Sequence, residues 1–134
     1  MRMVVQIGSE GHVHAAGVGK TLLSVMPEAE VIAIIERTGL PKLSEKTITT
    51  KQAFLQELKK VRECGYGLDD EEQTPGLRCI ASNIYDEYGE AVAAVSISGP
   101  SVRIPDERIA DIAEQVIAKA KAITHAIGGI HPRS

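Results

Sequence analysis

The residues best suited to chemistry in this 134-residue chain fall into a few groups. They are the string Gly17-Val18-Gly19-Lys20-Thr21, the histidines His12 and His14, the cysteines Cys64 and Cys79, the acidic run Asp69-Asp70-Glu71-Glu72, and the serines Ser96 and Ser98. The glycine string ends like a nucleotide-binding P-loop, but that pattern needs a glycine five residues before the second Gly. His14 occupies that position, and no Asp closes a later buried strand as a magnesium partner would. ATP or GTP binding is therefore excluded. Two readings of the string stay open. A glycine-containing helix start leaves backbone N–H groups free to attract a carboxylate; alternatively, Gly17 and Gly19 serve only to let a helix approach a sheet.

His12 and His14 would share one face of a strand, and with Cys79 they could form a zinc site, although the spacing is a weak signal. Cys79 paired with one of these histidines is the nucleophilic-enzyme reading, for which the sequence offers no third, orienting residue. Paired carboxylates can serve acid–base catalysis. Alternation along a strand would turn Asp69 and Glu71 inward and leave Asp70 and Glu72 in water, whereas the ordinary reading of such a run is a solvated edge.

These groups must be positioned by elements legible in the pattern of apolar residues. Met3 to Ile7 reads as a strand. A helix runs from Ala16 through Val18, Leu22, Leu23 and Met26 to a stop at Pro27, and a second spans roughly Glu28 to Arg37 before Gly39. Residues 40–50 look irregular. Thr50 caps a helix of about fifteen residues with Phe54, Leu58 and Val61 on its buried face, and Gly65 stops it. Tyr66 to Glu72 reads as a strand and Pro75-Gly76 as a turn. Leu77 to Tyr85 and Ala91 to Gly99 form a hairpin, and a last helix opens near Pro105-Asp106-Glu107 and closes at Gly128-Gly129.

If the hairpin closes with Asp86 opposite Gly89, Cys79 stands opposite Ser96. Alternation then puts Cys79, Ala81, Ser96 and Ser98 on one face, and Ile80, Ile84, Ala93, Val95 and Ile97 on the other. The first face combines a thiol and two hydroxyls with small neighbours, a surface that can orient a bound molecule. The competing reading leaves the serines bonded to nearby backbone and Cys79 as a small buried hydrophobe. Helices and strands do not alternate as βαβ units, so the fold class is α+β, with helices packed on one face of an antiparallel sheet.

Composition narrows the function further. The chain fits one domain. Aromatic residues make up 3% of it and Trp is missing, which argues against base-stacking platforms. The net charge of −3 supplies no broad positive field for phosphates, and Lys59-Lys60 with Arg62 reads as a solvated helix face, so the chain does not hold DNA on its own. Two cysteines without a CxxC spacing, no apolar run of about 18 residues and no signal peptide point to a reducing, cytoplasmic setting without membrane contact.

In order along the chain, several strings resemble the effector-binding domain of IclR-type bacterial transcription regulators. The first is Gly8-x5-His14-Ala15-Ala16-Gly17-Val18-Gly19-Lys20-x-Leu22-Leu23. Thr47-Ile48-Thr49, Val61-Arg62-Glu63-x-Gly65-Tyr66 and Asp69-x-Glu71-Glu72 are similar to the middle of that domain. Gly76-Leu77-x-Cys79-Ile80-Ala81 and Ser96-Ile97-Ser98-Gly99-Pro100, followed by Arg103, are similar to its last part. The likeness covers residues 1–129 as one domain and leaves 130–134 as a tail expected to fray.

The resemblance implies a GAF-like curved antiparallel sheet and a pocket for a small organic, sugar or aromatic acid. Gly17 and Val18 would hold the carboxylate through backbone N–H groups. Asp69, Cys79, Ser96 and Ser98 would line the same pocket, which shifts the reading of the thiol and hydroxyls towards ligand contact. No cofactor is implied. His12 and Val13 depart from the family's usual Pro-Leu-His, which puts the pocket mouth in doubt.

By the same resemblance, DNA binding would belong to a winged helix-turn-helix upstream, and the chain would start inside the sensor domain, lacking its first strands. The exposed edge near Met3 to Ile7 would then be covered by another chain in a dimer or tetramer. Two other functions compete with a sensor: a GAF-like redox enzyme using Cys79, and a structural dimerisation domain without a ligand.

Overall fold

The computed structural model describes residues 2–6, for which only the backbone is considered, and 14–132. The elements are β1 (Arg2–Gln6), α1 (Gly17–Ser24), α2 (Glu28–Thr38), α3 (Lys51–Cys64), β2 (Gly67–Asp70), β3 (Leu77–Tyr85), β4 (Ala91–Pro100), a 3-10 turn at Ser101–Arg103, and α4 (Asp106–Ala126). The four strands form one antiparallel sheet in the order β1-β4-β3-β2, and the α+β class holds. Local chemistry explains several boundaries. The Thr50 side chain accepts from the Ala53 N–H at the start of α3, a cap worth about 1 kcal/mol. Gly65 ends α3 in the left-handed conformation that a Cβ disfavours.

The β3–β4 hairpin corrects one detail of the sequence reading. Asp86 pairs with Glu90 rather than Gly89: the Asp86 N–H donates to the Glu90 carbonyl (2.9 Å), the Gly89 N–H donates to the Asp86 carbonyl within the turn (3.0 Å), and Asp86 Oδ1 accepts from the N–H groups of Tyr88 and Glu90. This longer loop moves the pairing by one residue, and a bulge between Ile84 and Tyr85 moves it by one more. Cys79 therefore pairs with Ser98, and Ala81 with Ser96. Two one-residue shifts cancel in parity, so Cys79, Ala81, Ser96 and Ser98 still share a face.

The opposite face carries the main core. Ile80, Ile84, Ala93, Val95 and Ile97 pack against Ile112, Ala113, Val116 and Ala120 of α4. Helices are not confined to that side, however. Val18 and Leu22 of α1 pack on Ala81 and Ala94, and Leu23 joins Val31, Ile35, Phe54 and Leu58 in a second cluster that stacks α2 and α3 behind α1. The thiol-bearing face is thus covered in its middle by α1. At the C-terminus, the start of the tail is docked: the Ile130 N–H donates to the Asp86 carbonyl, and the His131 ring meets Tyr85 edge-on at 5.0 Å.

Candidate functional site

At the N-terminal end of α1 the uncovered part of this face forms a cavity of about 210 Å³. Gly17, Val18, Asp69, Cys79, Ser96 and Ser98, the six residues singled out in the sequence, all line it. The two glycine readings turn out to be compatible. A Cβ on Gly17 would lie 3.3 Å from Cys79 Sγ and 3.3 Å from the carbonyls of Cys79 and Gly67, so the helix does approach the sheet closely. Ala16, the N-cap, supplies no side-chain cap, and of the first-turn N–H groups that of Gly17 is directed at the Cys79 thiol.

Cys79 sits directly across the ladder from Ser98 and is beside Ser96 on the same face. Burial pushes its thiol above the ordinary value and nearby Asp69 adds to this, while hydrogen bonds involving Ser98, Ser96 and the Gly17 N–H pull the other way. The net result is a protonated thiol that shapes the wall and is a poor nucleophile. His14, the partner considered for zinc or nucleophilic chemistry, places its Nε2 2.8 Å from the Pro41 carbonyl oxygen. Among the described residues no three His, Cys, Asp or Glu side chains cluster to hold a metal ion; His12 and Val13 lie outside the described residues.

The acidic run departs from simple alternation. Glu71 takes a φ of 58°, which ends β2 at Asp70 and turns Glu72 inward in its place. Asp69 and Glu72 are consequently the buried pair. Asp69 Oδ1 accepts from the N–H groups of Glu72 (2.8 Å) and Gln73 (3.4 Å). Burial dominates over these hydrogen bonds and raises the Asp69 pKa to about 6. Ser44 and Thr47, from the irregular segment before α3, hold the Glu71 and Glu72 carbonyls and fix this turn.

The residue that sequence reasoning missed is Lys20. Its side chain is fully buried, with Nζ 2.6 Å from Glu72 Oε1, 2.7 Å from Glu57 Oε2 and 2.8 Å from the Leu68 carbonyl. The lysine of the P-loop-like string thus ties α1 to α3 and to the end of β2, behind the cavity. Gln73 and Thr74 of the β2–β3 loop also line the cavity without having been anticipated, since that loop carries no pattern of its own, and Ala16, Leu77 and Arg78 complete the lining.

The arrangement defines a class: an α+β domain with a small polar cavity enclosed by a helix N-terminus, two strand hydroxyls, a thiol and a buried carboxylate. The family described as bacterial transcriptional regulator IclR C-terminal matches residues 1–125, and the chain belongs to it. It is 43% identical to the acetate operon repressor of Salmonella typhimurium over 129 residues, covering 96% of this chain and 47% of that protein. The chain spans about half the length of the curated relatives it matches.

Among solved structures, the C-terminal domain of the Escherichia coli regulator KdgR superposes with a TM-score of 0.80 at 38% identity, covering 87% of this chain and 71% of that one. The PobR inducer-binding domain from Acinetobacter, a double mutant in complex with 3-hydroxybenzoic acid, gives 0.79 at 31% identity, covering 84% and 65%. These relatives are regulators of transcription, not enzymes. No helix among the described residues is long and apolar enough to cross a membrane.

Proposed function

We propose that this chain senses a small organic acid and that occupancy of its cavity controls DNA binding by a winged helix-turn-helix located outside the sequence. The observation that supports this most is the meeting of an uncapped helix N-terminus with Ser96, Ser98, Cys79 and Asp69 around one cavity. The first-turn N–H groups at Gly17 and Val18 would hold the carboxylate, the serine hydroxyls would donate to a second oxygen, and Asp69 would accept from a ligand hydroxyl. At about 210 Å³ the cavity is smaller than the ~300–1,000 Å³ common for drug-sized ligands, which favours an acid of a few heavy atoms. The 3-hydroxybenzoic acid in the PobR domain supports a carboxylate as the class.

The chain would act as a dimer or tetramer. In support, β1 is the outermost strand of the sheet and has no second strand neighbour among the described residues. Light scattering coupled to size exclusion tests this; a monomer at high concentration argues against it.

The test of sensing is thermal unfolding against glyoxylate, pyruvate, lactate, ketodeoxy sugar acids and aromatic acids. A ligand at about 100 times its Kd adds roughly 2.7 kcal/mol, a shift of several degrees for a domain of this size. A shift with one acid that disappears in Ser96→Ala or Ser98→Ala is the expected result. A uniform lack of response, repeated with the intact regulator, would discard the proposal.

A further inference from the structure

The wall of the cavity that carries Asp69 and Gln73 is gripped from behind by the segment between α2 and α3. Thr47, 8% exposed, is the hub: its hydroxyl accepts from the N–H groups of Leu43 (3.0 Å) and Ser44 (2.9 Å) and donates to the Glu72 carbonyl. One proton and two lone pairs are all a hydroxyl has, so its capacity is filled. Ser44 Oγ donates in turn to the Glu71 carbonyl. The far sides of these same two peptide groups are the N–H groups of Glu72 and Gln73, since no peptide bond here is cis. Both of those N–H groups donate to Asp69 Oδ1, at 2.8 Å and 3.4 Å. Each peptide plane is thus held by a hydroxyl at its oxygen and holds Asp69 at its nitrogen. Glu71, beside them, keeps a φ of 58°, which a residue with a Cβ retains only where its surroundings impose it.

From this geometry we infer that Thr47 and Ser44 are positioning residues for the bound acid: by fixing two peptide planes they aim the Asp69 carboxylate at a hydroxyl of the ligand. The inference rests on the sensing reading above, in which Asp69 accepts from the ligand, and adds a selectivity to it. The clasp favours hydroxy acids over the same acids without the hydroxyl. Lys20 of α1, Glu72 of the turn and the Cys79 thiol across the ladder are the titratable groups facing Asp69. Thr47 carries no charge, so it acts on Asp69 through the orientation of the peptide groups.

The experiment compares lactate with propionate, which lacks only the C2 hydroxyl, by calorimetry. Both carry the carboxylate, so its repulsion by Asp69 cancels in the ratio. The wild type should prefer lactate about tenfold, the equivalent of one hydrogen bond. Thr47→Val should bring that preference below about twofold while propionate still binds, and Thr47→Ser, which keeps the hydroxyl, should restore it. Val116→Ala, made in the core under α4, lowers stability by another route and should leave the preference intact. Without any ligand, the Asp69 carboxyl carbon followed by NMR should titrate at lower pH in Thr47→Val, because water reaches the carboxylate once the peptide groups are released. An unchanged preference or an unchanged Asp69 titration in Thr47→Val, or the same changes in Val116→Ala, would overturn the inference alone. Failure of the wild type to bind either acid would instead sink the sensing of small acids, and the role of the clasp with it.

Discussion

Asp69 and Cys79 are direct partners across the β2–β3 ladder, so the carboxyl raised to about 6 stands beside the thiol, at the wall of the cavity. Its ordinary value is 3.8, so between these limits the folded chain binds a proton that the unfolded chain has released. This contribution favours folding in acid and is lost as pH rises through about 6. Urea midpoints of the wild type minus those of Asp69→Asn should therefore fall between pH 4 and pH 6.5. The subtraction removes the opposite trends expected from Asp70 and Glu71, whose pKa values are lowered.

The same titration sets a ligand expectation. Above pH 6 a charged Asp69 would repel a carboxylate at the proposed Gly17 and Val18 position. Calorimetry at pH 5.5 and 7.5 should show tighter binding of the responding acid at the lower pH, and Asp69→Asn should remove the difference.

Two glycines hold α1 against the sheet, and they should not respond equally. A Cβ on Gly67 would lie 2.7 Å from the Gly17 carbonyl, whereas one on Gly17 meets nothing closer than 3.3 Å. Overpacking typically costs about 1–3 kcal/mol. Gly67→Ala should fall at or above the upper end of that range, and Gly17→Ala near the lower end with loss of ligand response. Chemical denaturation of both variants gives the ranking.

Lys20→Met leaves Glu72 buried without its cation. Breaking a buried pair in this way costs about 3–5 kcal/mol. Adding Glu72→Gln to Lys20→Met should recover part of the loss, because the stranded charge is then removed. A double-mutant cycle on urea unfolding measures the coupling.

The two thiols should differ in reactivity. Cys64 is exposed, and Cys79 is largely buried with its thiol held protonated. Iodoacetamide at pH 7.5 should label Cys64 first, and a saturating acid ligand should slow labelling at Cys79 further. Fast alkylation at Cys79 would favour a redox role over a sensing one.

Much of this was legible because it is local. Thr50, Gly65 and the apolar spacing of α4 state their roles within a few residues. The shared face of Cys79, Ser96 and Ser98 was also legible, although the assumed turn was wrong, because only the parity of the register mattered. Lys20 was not: within α1 it resembles a phosphate ligand, and its true partners Glu57 and Glu72 come from segments far along the chain. Glu71 was misplaced for a related reason. Its left-handed backbone depends on Ser44 and Thr47 holding the two carbonyls at the turn, a contact no alternation rule contains. Placing all helices on one face failed because α1 shows apolar residues to both the sheet and α3.

The eight residues of α1 begin at the cavity and finish at Ser24, beside a second and larger one. A helix of that length is about 12 Å long and too short to flex appreciably along its axis. Lys20 pins its middle to α3 and β2, so α1 can tilt as a lever about that point more readily than it can slide. A tilt that opens the space at Gly17 must narrow or widen the space at Ser24. A ligand that tilted α1 at Gly17 would therefore also displace its far end at Ser24.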